Sequence, residues 1–225
     1  SIFNLTNLEF LSLSDNYFSG TVEFDKFVKL KKLTTLYLSN NQISFLESET
    51  SFLESETSAN RTHKKFVGIG LSRCNLSKFP NFLANQNELE LLNLQGNNIH
   101  GQVPEWVWNM SKESLKSINL FDNFLTGLGQ HPILLPWTNL AILDLSSNNI
   151  QGSLPIPSSS TLQYCASHNS FIGNISELIC NLSSLQVLEL SENNLSGPLP
   201  QCLHWISEGT NSKEASHKLG QMEAN

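Results

Sequence analysis

One pattern recurs eight times along this chain and restricts what it can fold into: L-x-x-L-x-L-x-x-N-x-L, often followed by x-G-x-L-P. Its clearest copies are residues 89–104 (LELLNLQGNNIHGQVP), 140–155 (LAILDLSSNNIQGSLP) and 185–200 (LQVLELSENNLSGPLP). A unit this small cannot enclose its own apolar face. Successive units must stack to bury it, so the chain is predicted to be a solenoid, and a solenoid is first of all a surface. The second leucine of each L-x-L falls at Leu13, Leu38, Leu71, Leu94, Leu120, Leu145, a degenerate Ala166 and Leu190. The steps between them are 25, 33, 23, 26, 25, 21 and 24 residues.

Alternation within L-x-L sends the leucines inward and their neighbours outward, as in a short strand. Strands of successive coils then pair in parallel at a spacing of about 4.8 Å. After each strand the backbone turns inside the stack, where its N–H and C=O groups need partners. Asn16, Asn41, Asn97, Asn123, Asn148, Asn169 and Asn193 recur at that place, with Cys74 substituting once. These are read as a structural ladder. Gly20, Gly101, Gly127, Gly152, Gly173 and Gly197 follow four residues later and permit a turn that a Cβ would crowd. Pro104, Pro155 and Pro200 limit helix on the outer side. Extended or 3-10 segments are expected there, with helical turns near 105–111 and 176–182.

Two units break the rhythm. The 33-residue step holds SFLESET twice in tandem, at 44–50 and 51–57, and predicts an irregular loop over 46–65. The unit TLQYCASHNSFIG carries Tyr164 and Ala166 in place of leucines, and a weaker, less regular coil is expected. The repeat array is assigned to 1–203. The polar tail 204–225 abandons the pattern and is expected to be disordered. The chain begins inside a repeat, at SIFNLTNLEFLSL, without an initiator Met and with no apolar run near eighteen residues. It is read as a piece of a longer protein.

The net charge of −7 and the lack of a Lys/Arg stripe argue against nucleic acid. No Walker, HExxH or G-x-S-x-G motif occurs, so no enzyme is expected. Gly68-Ile69-Gly70 resembles the start of a dinucleotide loop but lacks the third glycine and flanks a core strand. No Cys/His spacing suits zinc, and neither a metal nor a cofactor is expected. Cys180 and Cys202 lie 22 residues apart, near one repeat. Equivalent positions of adjacent coils fall within the Cα separation a disulfide needs. Two inert buried thiols are the alternative. Cys74 and Cys165 lie in different coils and are not expected to pair. Sequons begin at Asn4, Asn60, Asn75, Asn109, Asn174, Asn181 and Asn194, seven in all, where composition alone gives about five.

A core strand does not dictate its outward side chains, so these are the candidate contact residues: Tyr37, Arg73, Asn93, Asn119, Phe121, Asp122, Asp144, His168 and Glu189. Tyr37 and Phe121 are candidate aromatic anchors. Asp122, Asp144, Glu189 and Glu192 make the far end acidic, which favours a basic peptide or protein patch.

The unit LxxLxLxxNxLxGxLP resembles the extracellular leucine-rich-repeat domains of plant receptor-like proteins and receptor-like kinases, over about residues 5–203. The stretches LSRCNLSKFPNFLANQNELELLNLQGNNIHGQVPEW, LPWTNLAILDLSSNNIQGSLPIP and ICNLSSLQVLELSENNLSGPLPQCL are similar to the Cf-type receptor-like proteins of disease resistance. The match includes Cys74, Trp106 and Trp137, which lie outside the repeat consensus. The resemblance implies an α/β-type right-handed superhelix of plant-specific repeats, with strands on the concave face. It implies a glycoprotein on the extracellular face of the plasma membrane, with a leader, a membrane span and a short cytoplasmic tail in the full-length parent. It also implies a peptide, protein or glycan ligand and a membrane co-receptor kinase. A secreted enzyme inhibitor resembling polygalacturonase-inhibiting proteins is the second reading. A non-functional truncated product is the third.

Overall fold

The computed structural model describes residues 2–46, 65–129 and 133–206. Most of the predicted loop 46–65, with Asn60, and nearly all of the predicted tail 204–225 lie outside those residues. Eight three-residue strands form one parallel sheet in strict chain order. They are Phe10–Ser12, Thr35–Tyr37, Gly68–Gly70, Leu91–Asn93, Ser117–Asn119, Ile142–Asp144, Gln163–Cys165 and Val187–Glu189, and define coils 1 to 8. Their register stacks Leu11, Leu36, Ile69, Leu92, Ile118, Leu143, Tyr164 and Leu188 in a single inward column. Each side chain is covered by the one above and below, which is how units without individual cores share one. Leu36, Ile69, Leu92 and Ile118 are fully buried.

The asparagine ladder has the same geometry in coil after coil. Asn97 Nδ2 donates to the carbonyls of Leu71, in the preceding coil, and Leu94, in its own, at 2.9 and 2.7 Å. Its Oδ1 accepts the backbone N–H groups of Cys74 and Leu76 at 2.9 and 3.0 Å. Asn123, Asn148, Asn169 and Asn193 repeat the bridge one coil further each time. A short primary amide donates to carbonyls of two coils while accepting from one, so each asparagine both closes its own turn and fastens it to the last. At coil 3 the Cys74 thiol takes this place, 3.4 Å from the carbonyls of Leu38 and Ser72. Burial pushes that thiol up to about 12, which keeps it protonated and able to donate.

A second regularity precedes every ladder position. Asp15, Asn40, Arg73, Gly96, Asp122, Ser147, His168 and Glu192 all sit in the left-handed region, with φ between 50° and 66°. The twist keeps the chain paired beyond the strand. The Arg73 N–H donates to the Gln95 carbonyl at 2.8 Å, and those of Asp122 and His168 reach Ser146 and Ser191 at 3.1 and 3.0 Å. Seven of these eight residues are not glycine, and at six of them, all but Glu192 in the last coil, the inter-coil bond offsets a backbone cost of about 1 kcal/mol.

Behind this sheet run shorter parallel pairs, Ser19–Glu23 with Gln42–Leu46 and His100–Gln102 with Phe124–Gly127, and the trio Gln151–Gly152, Ser170–Gly173 and Asn194–Leu195. The predicted turn glycines have positive φ, with one exception. Gly127 lies within a strand whose register shifts against Gly101 and Gln102, and Gly129, at φ 65°, makes the turn instead. The outer side carries 3-10 turns at Asn81–Asn85, Glu105–Asn109, Glu177–Asn181 and Gln201–Ile206. The second and third of these fall where helical turns were predicted. A one-turn α-helix, Asp25–Val28, was not foreseen. Trp108 and Trp137 are buried against each other, their indole N–H groups donating to Leu128 and Met110 carbonyls at 3.2 and 3.0 Å.

The expectation of a less regular coil 7 is corrected. Gln163–Cys165 keeps full register with both neighbours. Tyr164 fills its column position completely, and its hydroxyl donates to the Pro155 carbonyl at 2.8 Å. Beside it stands Ala166, smaller than the leucine of other coils, so the pair fits without distortion. Cys180 and Cys202 form a disulfide, with Cα atoms 5.6 Å apart, and fasten the last two 3-10 turns to each other. Cys74 and Cys165 are free and buried.

Candidate ligand-binding surface

The strand register gathers the nine candidate contact residues into three parallel rows on the outward face of the sheet. The central row reads Ser12, Tyr37, Gly70, Asn93, Asn119, Asp144, Cys165 and Glu189. Phe121 lies in the next row, two residues on. Arg73, Asp122 and His168 belong to the left-handed row at the strand exits. Chain alternation alone puts Tyr37, Asn93, Asn119, Asp144 and Glu189 on one line although they span more than 150 residues.

Several of these side chains also serve the backbone. The Oδ1 atoms of Asn93, Asn119 and Asp144 accept the N–H groups of Gln95, Phe121 and Ser146 at 3.1, 2.9 and 2.9 Å. Coils 1 to 3 solve the same problem with serine. Ser14 Oγ accepts the Ser39 N–H, and Ser39 Oγ accepts the Ser72 N–H, at 3.1 and 3.0 Å. The two arrangements meet between coils 3 and 4.

Tyr37 is half-buried because it lies across coil 3, where Gly68 and Gly70 present no side chain. A Cβ on either glycine would sit 2.9 and 2.8 Å from the tyrosine hydroxyl and ring. The glycine pair that resembled a dinucleotide loop is therefore the seat of an aromatic ring. Phe10, which sequence reasoning passed over, meets that ring edge-on at 5.6 Å and is 57% exposed. Its signal was available: it occupies the first outward position of the first strand. Tyr37, Ser39, Gly70, Ser72, Arg73 and Asn93 line a concave depression of about 440 Å³. A smaller cavity of about 260 Å³ lies off this face, lined by Phe24, Phe45, Leu76 and Phe82 among others.

Charge is distributed unevenly over the rows. Arg73 is the one cation among the outward positions of the described coils. Of the carboxylates, Asp15 in coil 1 lines the same depression and accepts from Asn40 Nδ2 at 2.7 Å, while Asp122, Asp144, Glu189 and Glu192 cluster in coils 5 to 8. Burial raises the Asp144 pKa, against the lowering effect of its bonds from Ser146. Cys165, between Asp144 and Glu189, is pushed up by burial first and by those two carboxylates as well. Because the native state binds the Asp144 proton more tightly than the unfolded chain does, stability is highest below the unfolded-state pKa. It falls as pH rises through the folded one. Asp144→Asn keeps the acceptor for Ser146 and is expected to raise the melting temperature at pH 7. That gain should shrink as the pH is lowered toward the carboxylate range, in melts recorded from pH 7 down to pH 4.

The sequon asparagines Asn4, Asn75, Asn109, Asn174, Asn181 and Asn194 are all exposed, and none belongs to the three rows. Among the described residues no three His, Cys, Asp or Glu side chains gather to hold a metal ion, and no helix is long and apolar enough to cross a membrane.

Short parallel strands on one face, an asparagine bridge between successive coils at most turns and 3-10 segments opposite define a leucine-rich-repeat solenoid. Leucine-rich-repeat family models match residues 6–53, as two copies, and 88–110, 139–160 and 184–205. Receptor-like protein 7 of Arabidopsis thaliana is 40% identical over 208 residues, which cover 92% of this chain and 20% of that protein. Receptor like protein 28 of the same plant is 37% identical over 186 residues, 82% of this chain and 22% of that protein. The chain belongs to the plant leucine-rich-repeat receptor-like proteins, and spans about a fifth of the length of these two relatives. The ectodomain of the Arabidopsis receptor kinase HAESA, solved with an extended IDA peptide hormone, superimposes with a TM-score of 0.68 at 25% identity. That match covers 86% of this chain and 31% of the kinase chain. A second HAESA structure, with IDA and the co-receptor SERK1, gives 0.70 at 24%, over 88% of this chain and 32% of that one.

Proposed function

We propose that this chain is part of the extracellular ligand-recognition module of a plant cell-surface receptor-like protein acting in pathogen perception. Its concave face takes up an extracellular ligand, and signalling passes through a membrane co-receptor kinase engaged by the full-length protein. The observation that carries this reading is the three-row outward face: eight coils place side chains there that the core does not require, over a continuous sheet. The peptide hormone and co-receptor in the HAESA structures support a peptide ligand over a glycan. The relatives' names support the receptor class.

The test is a full-length receptor carrying Ser117→Trp. Ser117 is outward in coil 5, near the middle of the face, and its hydroxyl makes no hydrogen bond among the described residues. The bulky ring would obstruct the strip without touching the core. Leaves expressing the variant should need at least tenfold more pathogen culture filtrate for the same oxidative burst, at unchanged receptor abundance. An unaltered dose response would remove the concave face from recognition.

A further inference from the structure

We propose that Ser72 and Arg73 form a subsite for an internal Asp or Glu side chain of an extended peptide laid across the coils, whose basic side chain, four to seven residues away, faces Asp144 and Glu189. This rests on the concave-face reading above and gives it a ligand chemistry.

The first observation is an orphan. Ser72 is 8% exposed, and its Oγ has no hydrogen-bond partner among the described residues. The serine series explains why. Ser14 and Ser39 each accept an N–H from the following coil, but the Gln95 N–H that Ser72 would accept is taken by Asn93 Oδ1 at 3.1 Å. A buried hydroxyl left unpaired is destabilising, because its lost hydration is not repaid. It lines the depression together with Arg73.

The second observation is the adjacent cation. Arg73 makes no ion pair among the described residues. Its stem rests on coil 4, where Gly96 leaves room: a Cβ there would be 2.7 Å from Arg73 Cγ and 3.3 Å from Nε. A guanidinium held by its stem, beside an unused hydroxyl, offers charge-assisted hydrogen bonds to a carboxylate. Coils continue on both sides of the depression, coil 1 with Phe10 one way and coil 5 with Asn119 the other. A peptide laid across the coils therefore extends past it in both directions, and the acid is a side chain within that peptide.

The opposite pole fixes the spacing. Arg73 is in coil 3, Asp144 in coil 6 and Glu189 in coil 8, with no Lys or Arg at the outward positions of coils 5 to 8. Three and five strand spacings are about 14 and 24 Å. An extended chain advances about 3.3 Å per residue, so about four to seven residues separate its acid from its base.

The probe is an array of synthetic 14-residue peptides with acetyl and amide ends. Each carries one Glu and one Lys, two to ten residues apart, in both orders, on a Ser/Ala/Pro background. Binding of the labelled 225-residue chain should peak at separations of four to seven and in one order only. Arg73→Gln should weaken that peak at least tenfold. Arg73→Glu should transfer preference to peptides with Lys in place of the Glu. Ser72→Ala should weaken binding severalfold and yet raise the melting temperature by about 2–4 °C, because it removes an unpaired hydroxyl. A merely structural serine would not show that opposition. Equal binding at every spacing, or indifference to Arg73→Glu, would overturn the subsite. Stronger binding by free-carboxylate peptides lacking Glu would overturn the internal acid. If Ser117→Trp abolishes binding while Arg73→Glu leaves it unchanged, the concave face stands and the poles fall. If no peptide binds, the subsite falls, and the concave-face reading is decided by the Ser117→Trp dose response.

Discussion

Asn148→Ala is expected to lower stability by about 3–5 kcal/mol, measured as the change in urea unfolding free energy. The side chain is buried and every polar atom on it is used. Its Nδ2 lies 3.0 Å from the Leu120 carbonyl, 3.1 Å from Leu145 and 3.1 Å from Ser146, and its Oδ1 accepts the Leu125 N–H at 3.0 Å. Alanine leaves an interior donor and several carbonyls without partners, and each orphan costs about 1–3 kcal/mol before relaxation. Asn148→Asp should be no better. It keeps the acceptor but turns a negative charge toward carbonyl oxygens. The control is Asn16→Ala. Asn16 is exposed, bonds only the carbonyls of Leu13 and Ser14 in its own coil, and water can replace it. That change should cost less than about 1 kcal/mol. Equal losses at the two positions would show that the ladder contributes no more than a local turn does.

Restoring the motif's leucine in coil 7 should destabilise the protein. Tyr164→Leu is expected to cost about 2–4 kcal/mol in the same unfolding measurement. A consensus argument gives the opposite sign. The ring is fully buried in the inward column between Leu143 and Leu188, beside an alanine. Leucine would leave part of that space empty and strip the Pro155 carbonyl of its donor. Burial holds the phenol pKa well above its ordinary value, so the hydroxyl remains a donor across the working pH range. Tyr164→Phe separates the two contributions. It keeps the ring, loses the 2.8 Å bond, and should cost about 1–2 kcal/mol. A leucine variant as stable as the parent would mean that coil 7 closes around the smaller side chain.

Much of this architecture was legible before any coordinates because its causes are periodic. A leucine at every L-x-L and an amide three residues later state both the core and its hydrogen bonding. What was not legible depends on one coil meeting the next. The sequence places Tyr37 and the pair Gly68 and Gly70 in different repeats. Only the register, with Tyr37 opposite Gly70, shows that the glycines exist to seat the ring. The Ser14–Ser39–Ser72 series and its end at Asn93 are likewise relations between coils. The left-handed row was hidden for another reason. Arg, Ser and Glu carry no mark of positive φ, and Asp, Asn and His carry only a preference for it, so the row emerges only with the bonds between coils. The candidate contact residues were read from their places between and after the leucines, which set them on the outward face but gave no account of which are occupied by backbone duties.

The left-handed row has one further consequence. At six of the seven non-glycine strand exits, the bond that compensates for the left-handed backbone uses only main-chain atoms. Exchanging Arg73, Asp122 or His168 for another residue that is not β-branched therefore costs little folding free energy. The solenoid thus keeps an edge whose chemistry can be rewritten one position at a time without repairing its scaffold.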